Sequence, residues 1–464
     1  MHNESFYRSL PLRKGDAMRD WLDAETRVER AAELTEAHQW AEALGELDAA
    51  IEINPHDADW HIQRGQILDQ LERYEEAIEA YQQAIALSDD HLEVQTLLAM
   101  DLIRVERYQE AVDRLEAMAR EHPDYEPAYC HRIAAYTRMG RHEQAEEMFY
   151  LAQQIEEDCP HCFHHLAESL MCRNQYQQAI HCWERVLHIE PNYPQAAQRI
   201  AWAYRMLGDY EKARNAYLQA LRQAPGDLDV LAELGDLYIE MGRLESAAGK
   251  FEQILELEPD SVRGHVMLGL LLAQGDRLDE AIDHFEKALA LDQDHPHVRA
   301  HLGEVELRRG HPHTAYHHLS LALEQDPEDT VGLMAMGNCL LEMNRPTEAA
   351  GYFEHLLNNE PHLVAAWHNL AICRFLEGQY ERGIADCMRA LRIEPESTLV
   401  LHKLALVLMY LGRWQQAQAM IDRGLAAEPQ HPELNELKRQ FWWKRVRHTA
   451  GRALHGLRKL LARG

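Results

Sequence analysis

The sequence predicts an all-α tandem-repeat fold, and three observations carry that prediction. Stepping by 34 residues from Pro55 meets proline nine times in twelve, at 55, 123, 191, 225, 259, 327, 361, 395 and 429. Asp89, Glu157 and Gln293 fill the other three steps without breaking the register. Twelve residues before each step stands an alanine, or once a glycine, from Ala43 through Gly383 to Ala417. Twenty-four residues before each step the residue is small again in all copies but one, where Ile133 stands. A period of this length marks one supersecondary unit copied along the chain.

The elements of each copy follow in order. A first helix carries the earlier small residue, such as Gly65, Gly269 or Ala371. A second helix carries the later one, because two helices cross within about 8–10 Å only where both present small side chains. Eight residues before the turn comes a bulky residue in most copies, including Tyr81, Phe149, Trp183, Tyr217, Phe251, Phe285 and Phe353, which fills the space beside the small ones. The proline then follows an apolar-periodic segment such as 282-IDHFEKALAL-291, ending the second helix and setting the turn into the next copy. Twelve copies occupy residues 24–431. Residues 1–23 are an amino-terminal flank, partly helical, and residues 432–464 a carboxyl-terminal capping helix and basic amphipathic tail.

Composition removes several classes of function. The 464 residues carry 47 Lys+Arg against 77 Asp+Glu, a net charge of −30, which argues against a body built to grip phosphate backbones. Nucleic acid is therefore not expected as a partner. No run approaches the roughly 18 apolar residues of a membrane span, 266-VMLGLLLA-273 being among the longest. The amino terminus lacks the apolar stretch of a signal peptide, and eight cysteines, five of them between 130 and 182, are too few and too clustered for a secreted disulfide framework. The expectation is a cytoplasmic protein with free thiols. No G-x-S-x-G, Walker or dinucleotide glycine pattern appears, so no catalytic residue and no enzyme activity is expected.

The small, aromatic and proline positions, in this order and at this spacing, closely resemble the tetratricopeptide repeat (TPR) family, over about seven-eighths of the chain. The resemblance implies a right-handed superhelical solenoid of antiparallel helix pairs, acting as a non-catalytic protein-interaction scaffold that holds a peptide or amphipathic helix on its concave face.

In such proteins, positions 2, 5, 9, 12 and 13 of the first helix usually face the ligand. Five of the fifteen such residues in the first three copies are acidic, whereas eleven of fifteen in copies ten to twelve are apolar. The preferred docking site is therefore copies ten to twelve, since apolar patches of this size are seldom left without a partner. Met334, Ile372, Phe375, Leu399 and Leu406 would supply contact area there, with His368 and His402 beside them. Chaperone-binding relatives carry a five-residue carboxylate clamp, of which Asn338, Asn369 and Lys403 match three positions, with Lys for Arg. Met334 and Leu399 replace the two clamp lysines, so Asn338 and Asn369 are expected to bind a ligand main chain and not an acidic tail. Open repeat ends and an apolar groove also permit a homo-oligomer. The competing reading is that these side chains pack against one another or the tail.

Two further features stand out. In 159-CPHCFHH-165, Cys159 and Cys162 have the C-x-x-C spacing of zinc sites, with Cys130 and His131 at the same height of the preceding copy. The same letters occur in thiol-disulfide oxidoreductases, but no β-α-β pattern accompanies them here. A metal or thiol-redox sensor at Cys159 and Cys162 is one alternative. Buried cysteines serving as small hydrophobes, as at Cys339 and Cys373, are the reading adopted, so no metal or cofactor is assigned. From Lys438 to Gly464 there are nine Lys/Arg and no acid, which leaves the rest of the chain near −39. Leu434, Leu437 and Phe441 are spaced to cap the last copy. Trp442, Trp443, Val446, Leu454, Leu457, Leu460 and Leu461 then recur among the cations, a pattern that suits an anionic membrane surface and makes a peripheral membrane or assembly adaptor the other alternative.

Overall fold

The computed structural model describes residues 14–88, 92–193 and 195–441, with side chains from residue 22 onward and that of Pro296 excepted. The expected amphipathic tail, from Trp442 through Leu461, and the membrane contact assigned to it lie outside the described residues.

The chain divides into two compact units, residues 1–230 and 231–464. The first contains α1 (Lys14–Glu36), α2 (Trp40–Ile53), α3 (Ala58–Gln70), α4 (Tyr74–Leu87), α5 (Leu92–Arg104), α6 (Tyr108–Glu121), α7 (Glu126–Arg138), α8 (His142–Ile155), α9 (Pro160–Cys172), α10 (Tyr176–Ile189), α11 (Ala196–Met206) and α12 (Tyr210–Gln223). Next come α13 (Leu228–Glu240), α14 (Leu244–Leu257), α15 (Val262–Gln274), α16 (Leu278–Leu291), α17 (Pro296–Arg308), α18 (Pro312–Gln325), α19 (Thr330–Glu342), α20 (Pro346–Asn359), α21 (Val364–Leu376), α22 (Tyr380–Ile393), α23 (Thr398–Tyr410) and α24 (Trp414–Ala427). A last helical segment covers 432–441. Among the described residues there is no strand, and no helix is long and apolar enough to cross a membrane.

Helices pack in consecutive antiparallel pairs, α3 on α4, α15 on α16, α21 on α22 and so on. The reversal within each pair is made by one residue in the left-handed conformation, and these recur every 34 residues: His38, Glu72, Glu106, Gly140, Asn174, Gly208, Gly242, Asp276, Gly310, Asn344, Gly378 and Gly412. Around Gly378 the bonds are those of a Schellman cap, Gly378 N–H to the Phe375 carbonyl (3.1 Å) and Gln379 N–H to that of Arg374 (2.8 Å). Glu72 and Arg73 bond in the same way to Asp69 (3.0 Å) and Leu68 (2.9 Å), so the turn forms where no glycine marks it.

What locks most pairs is a small residue on the first helix facing a large one sixteen residues later on the second. Gly65 lies against the Tyr81 ring, and a Cβ added at Gly235 or Gly269 would stand 2.8 Å from Phe251 or 2.7 Å from Phe285. Tyr81, Phe251, Phe285 and Phe353 are fully buried. Where Ile133 breaks the pattern it is itself buried, and Phe149 meets Phe163 edge to face at 5.1 Å. At the carboxyl end, Leu434 packs on Gly424, while Leu437 and Phe441 join the core of α23 and α24.

This packing separates two kinds of glycine. Gly269→Leu should lower the unfolding free energy by about 1–3 kcal/mol through overpacking against Phe285. Gly351→Ala, in α20 with nothing within 4 Å of the added Cβ, should raise it by up to about 1 kcal/mol. Denaturant unfolding of both variants checks the contrast.

Candidate functional site

First helices of neighbouring pairs touch directly, α17 with α19 and α19 with α21, so their side chains form one continuous wall in the second unit. Against this wall lies a hollow of about 620 Å³ lined by Leu307, Arg308, Asn338, Leu341, Glu342, Ile372 and Leu376. Of the ten residues expected to bind ligand, Asn338 and Ile372 line it. Asn369 joins them indirectly, since its Nδ2 donates to Asn338 Oδ1 at 2.8 Å and approaches Met334 Sδ at 3.8 Å. That bond leaves the Asn338 amide NH₂ and the Asn369 carbonyl oxygen for another main chain.

The other expected residues divide. Leu399 is half exposed. Lys403 and Leu406 are partly buried, Leu406 packing on the core of α23. Phe375 is not a free contact: its ring lies against Gly383 of the partner helix α22, because this pair reverses the usual order and puts the large residue on the first helix and the small one on the second. His368 and His402 are likewise packed in, 4% and 9% exposed. Burial, with Lys403 and His402 nearby, pushes the His368 imidazole down to about 4, and it is neutral at physiological pH. His402 lies 3.1 Å from Glu433 of the segment 432–441. The hollow spans copies nine to eleven, one copy nearer the amino terminus than the expected ten to twelve. Leu307 and Arg308 were missed, although they stand at positions 12 and 13 of copy nine in the same 34-residue frame.

In the first unit the structure gathers a second group. Cys159 is the N-cap of α9, extended at φ −78° and ψ 110°, with Pro160 following. Its Sγ accepts the Cys162 N–H at 3.2 Å. Cys162 Sγ donates to Glu126 Oε1 at 2.7 Å, and Cys130 completes a set whose four ligand atoms lie within 4.8 Å of one another. All three thiols are buried. The neighbouring Cys130 and Cys162 thiols hold Cys159 well below the usual thiol range, while those two thiols are pushed up, and burial lifts the Glu126 carboxyl to about 7. Glu126 was not singled out from sequence. The available signal was its place four residues before Cys130, which puts both on one face of α7. Cys339 and Cys373 are fully buried among apolar side chains.

A profile of the tetratricopeptide repeat matches residues 34–100, 271–329, 306–371 and 374–441, just over half of the chain, and a second such profile matches 233–296. YpiA-like C-terminal tetratricopeptide repeats match 194–261, and a bacterial transcriptional activator domain matches 82–157. The chain belongs to the tetratricopeptide repeat family, whose fold is a scaffold for protein–protein interaction. No curated protein is a significant match. Similar solved structures include the APC/C hetero-tetramer Cut9-Hcn1, at 14% identity over 90% of this chain and 96% of that one, with a TM-score of 0.48. Yeast Tom70 is 14% identical over 88% and 97%, TM-score 0.40, and MamA from Desulfovibrio magneticus RS-1 is 20% identical over 37% and 96%, TM-score 0.34.

The division between packing and contact residues is measurable. Phe375→Ala should destabilise the protein by about 2–3 kcal/mol, and Leu399→Ala should stay within about 0.5 kcal/mol of the parent, read as shifts in the denaturant midpoint.

Proposed function

We propose that the protein is a non-catalytic scaffold whose second unit holds a peptide segment with an apolar face along α17, α19 and α21. The observation that carries this reading is the Asn338–Asn369 pair beside a hollow walled by Leu307, Leu341, Ile372 and Leu376. The two amides fix the direction and register of a ligand main chain, because each retains one unspent hydrogen-bonding group toward it. The aliphatic wall supplies area. Leu376, 59% exposed, loses its contact with water when a ligand side chain covers it. Arg308 and Glu342 at the rim select by charge more than they add affinity. Arg308 is already held by the Ala273 carbonyl at 2.8 Å and Asp276 at 3.1 Å, so it meets a ligand in a fixed position.

Peptides selected from a displayed random library against the full chain test this. Leu376→Asp should weaken the selected peptides by about 100-fold, since a carboxylate would be buried against apolar side chains, and Asn369→Ala by about 5–10-fold through loss of one hydrogen bond. Unchanged dissociation constants in both folded variants would place the ligand elsewhere.

A further inference from the structure

Independently of the peptide site, we propose that Glu126, Cys130, Cys159 and Cys162 form a closed structural site for one Zn²⁺ that ties α7 to α9. Three features of the geometry support it. The four donor atoms come from two first helices that pack on each other, and they already lie within 4.8 Å of one another. A tetrahedral Zn²⁺ with bonds of about 2.3 Å to sulfur and 2.0–2.2 Å to oxygen holds its donors about 3.5–3.8 Å apart, so the widest pairs must close by up to about 1 Å and the 2.7 Å contact of Cys162 with Glu126 must open by a similar amount. Each pair of donors is also delivered by a simple local device. Glu126 and Cys130 are one turn apart at the start of α7, and the Cys159–Cys162 pair brackets the start of α9, where Pro160 fixes the first helical residue and the Cys162 N–H points at the Cys159 sulfur.

The third feature is chemical. Three buried thiols beside a half-buried carboxyl form an unusual cluster: Cys130, Cys159 and Cys162 are 3%, 5% and 1% exposed. Cysteines acting only as small hydrophobes, as at Cys339 and Cys373, sit in an apolar cluster and need no such company. Here Cys162 Sγ donates to the Glu126 carboxyl, and the Cys130 and Cys159 sulfurs stand beside the same two groups. A divalent cation satisfies all four donors at once, and the protons they share pass to solvent. Three sulfurs and one oxygen select Zn²⁺ over Mg²⁺ or Ca²⁺. With four protein ligands and no open position, the site is structural and not hydrolytic.

The test uses the full chain, purified reduced, stripped with chelator and reloaded with Zn²⁺ or Co²⁺ alone. The expected result is one ion per chain, a sulfur-to-cobalt charge-transfer band with the strong visible bands of four-coordinate Co²⁺, and an unfolding midpoint raised by Zn²⁺. Cys159→Ser with Cys162→Ser should abolish the charge-transfer band. Should that variant not fold by circular dichroism, Glu126→Gln keeps all three sulfurs and should weaken Zn²⁺ binding by at least about 10-fold. The proposal is overturned by failure of the parent to bind at equimolar metal. It is equally overturned by Co²⁺ spectra without sulfur character, which would point to His164, His165 and Glu168 instead, or by a Cys159–Cys162 disulfide in freshly isolated protein.

Discussion

The structure depends on one steric constraint: in most helix pairs a small residue on one helix must face a large one on the other. Gly65 and Tyr81, Gly235 and Phe251, Gly269 and Phe285, and Gly337 and Phe353 all meet with so little room that a methyl group on the glycine would overlap the ring. Close approach brings the two helices of a pair together and buries the ring, and the rings are among the largest fully buried side chains of the protein. A pair cannot cover its own apolar faces alone, so each is stabilised by its neighbours. The first helices then touch from pair to pair, and that contact creates a wall on which a ligand can lie. Surface ion pairs such as Arg73 with Glu76 and Arg345 with Glu348 recur along the chain, but exposed pairs of this kind contribute little.

Much of the fold was legible because the constraint leaves a periodic trace. Alanine, glycine, aromatic and proline positions repeat at fixed offsets, and helix geometry turns those offsets into contacts. The left-handed turns were less legible. Glycine marks half of them, but His38, Glu72 and Glu106 adopt the same conformation because the Schellman hydrogen bonds on either side impose it.

The candidate sites were legible in part, and the failures have physical causes. A position number along a helix says which way a Cα faces but not whether a neighbour covers the side chain. The repeat frame turns Phe375 toward a ligand, yet Gly383 offers it a niche in α22; it turns His402 the same way, yet Glu433 and the segment after α24 cover it. Asn338 and Asn369 meet because they stand at positions 9 and 6 of successive first helices, close to one turn apart in the repeat frame on helices that touch. Cys159 and Cys162 are visible as a spaced pair, while Glu126 is easily passed over, since among 77 acidic residues its place four before Cys130 is a weak signal until the fold sets it beside sulfur.

The central claim is that binding takes place on the wall of first helices. Photo-crosslinking tests it most directly, with a benzophenone amino acid placed at residue 376 on α21 or at residue 388 on the second helix α22, both solvent-exposed. With a library-selected peptide bound, residue 376 should crosslink to it and residue 388 should not. Equal labelling from both positions, or labelling from residue 388 alone, would contradict the account.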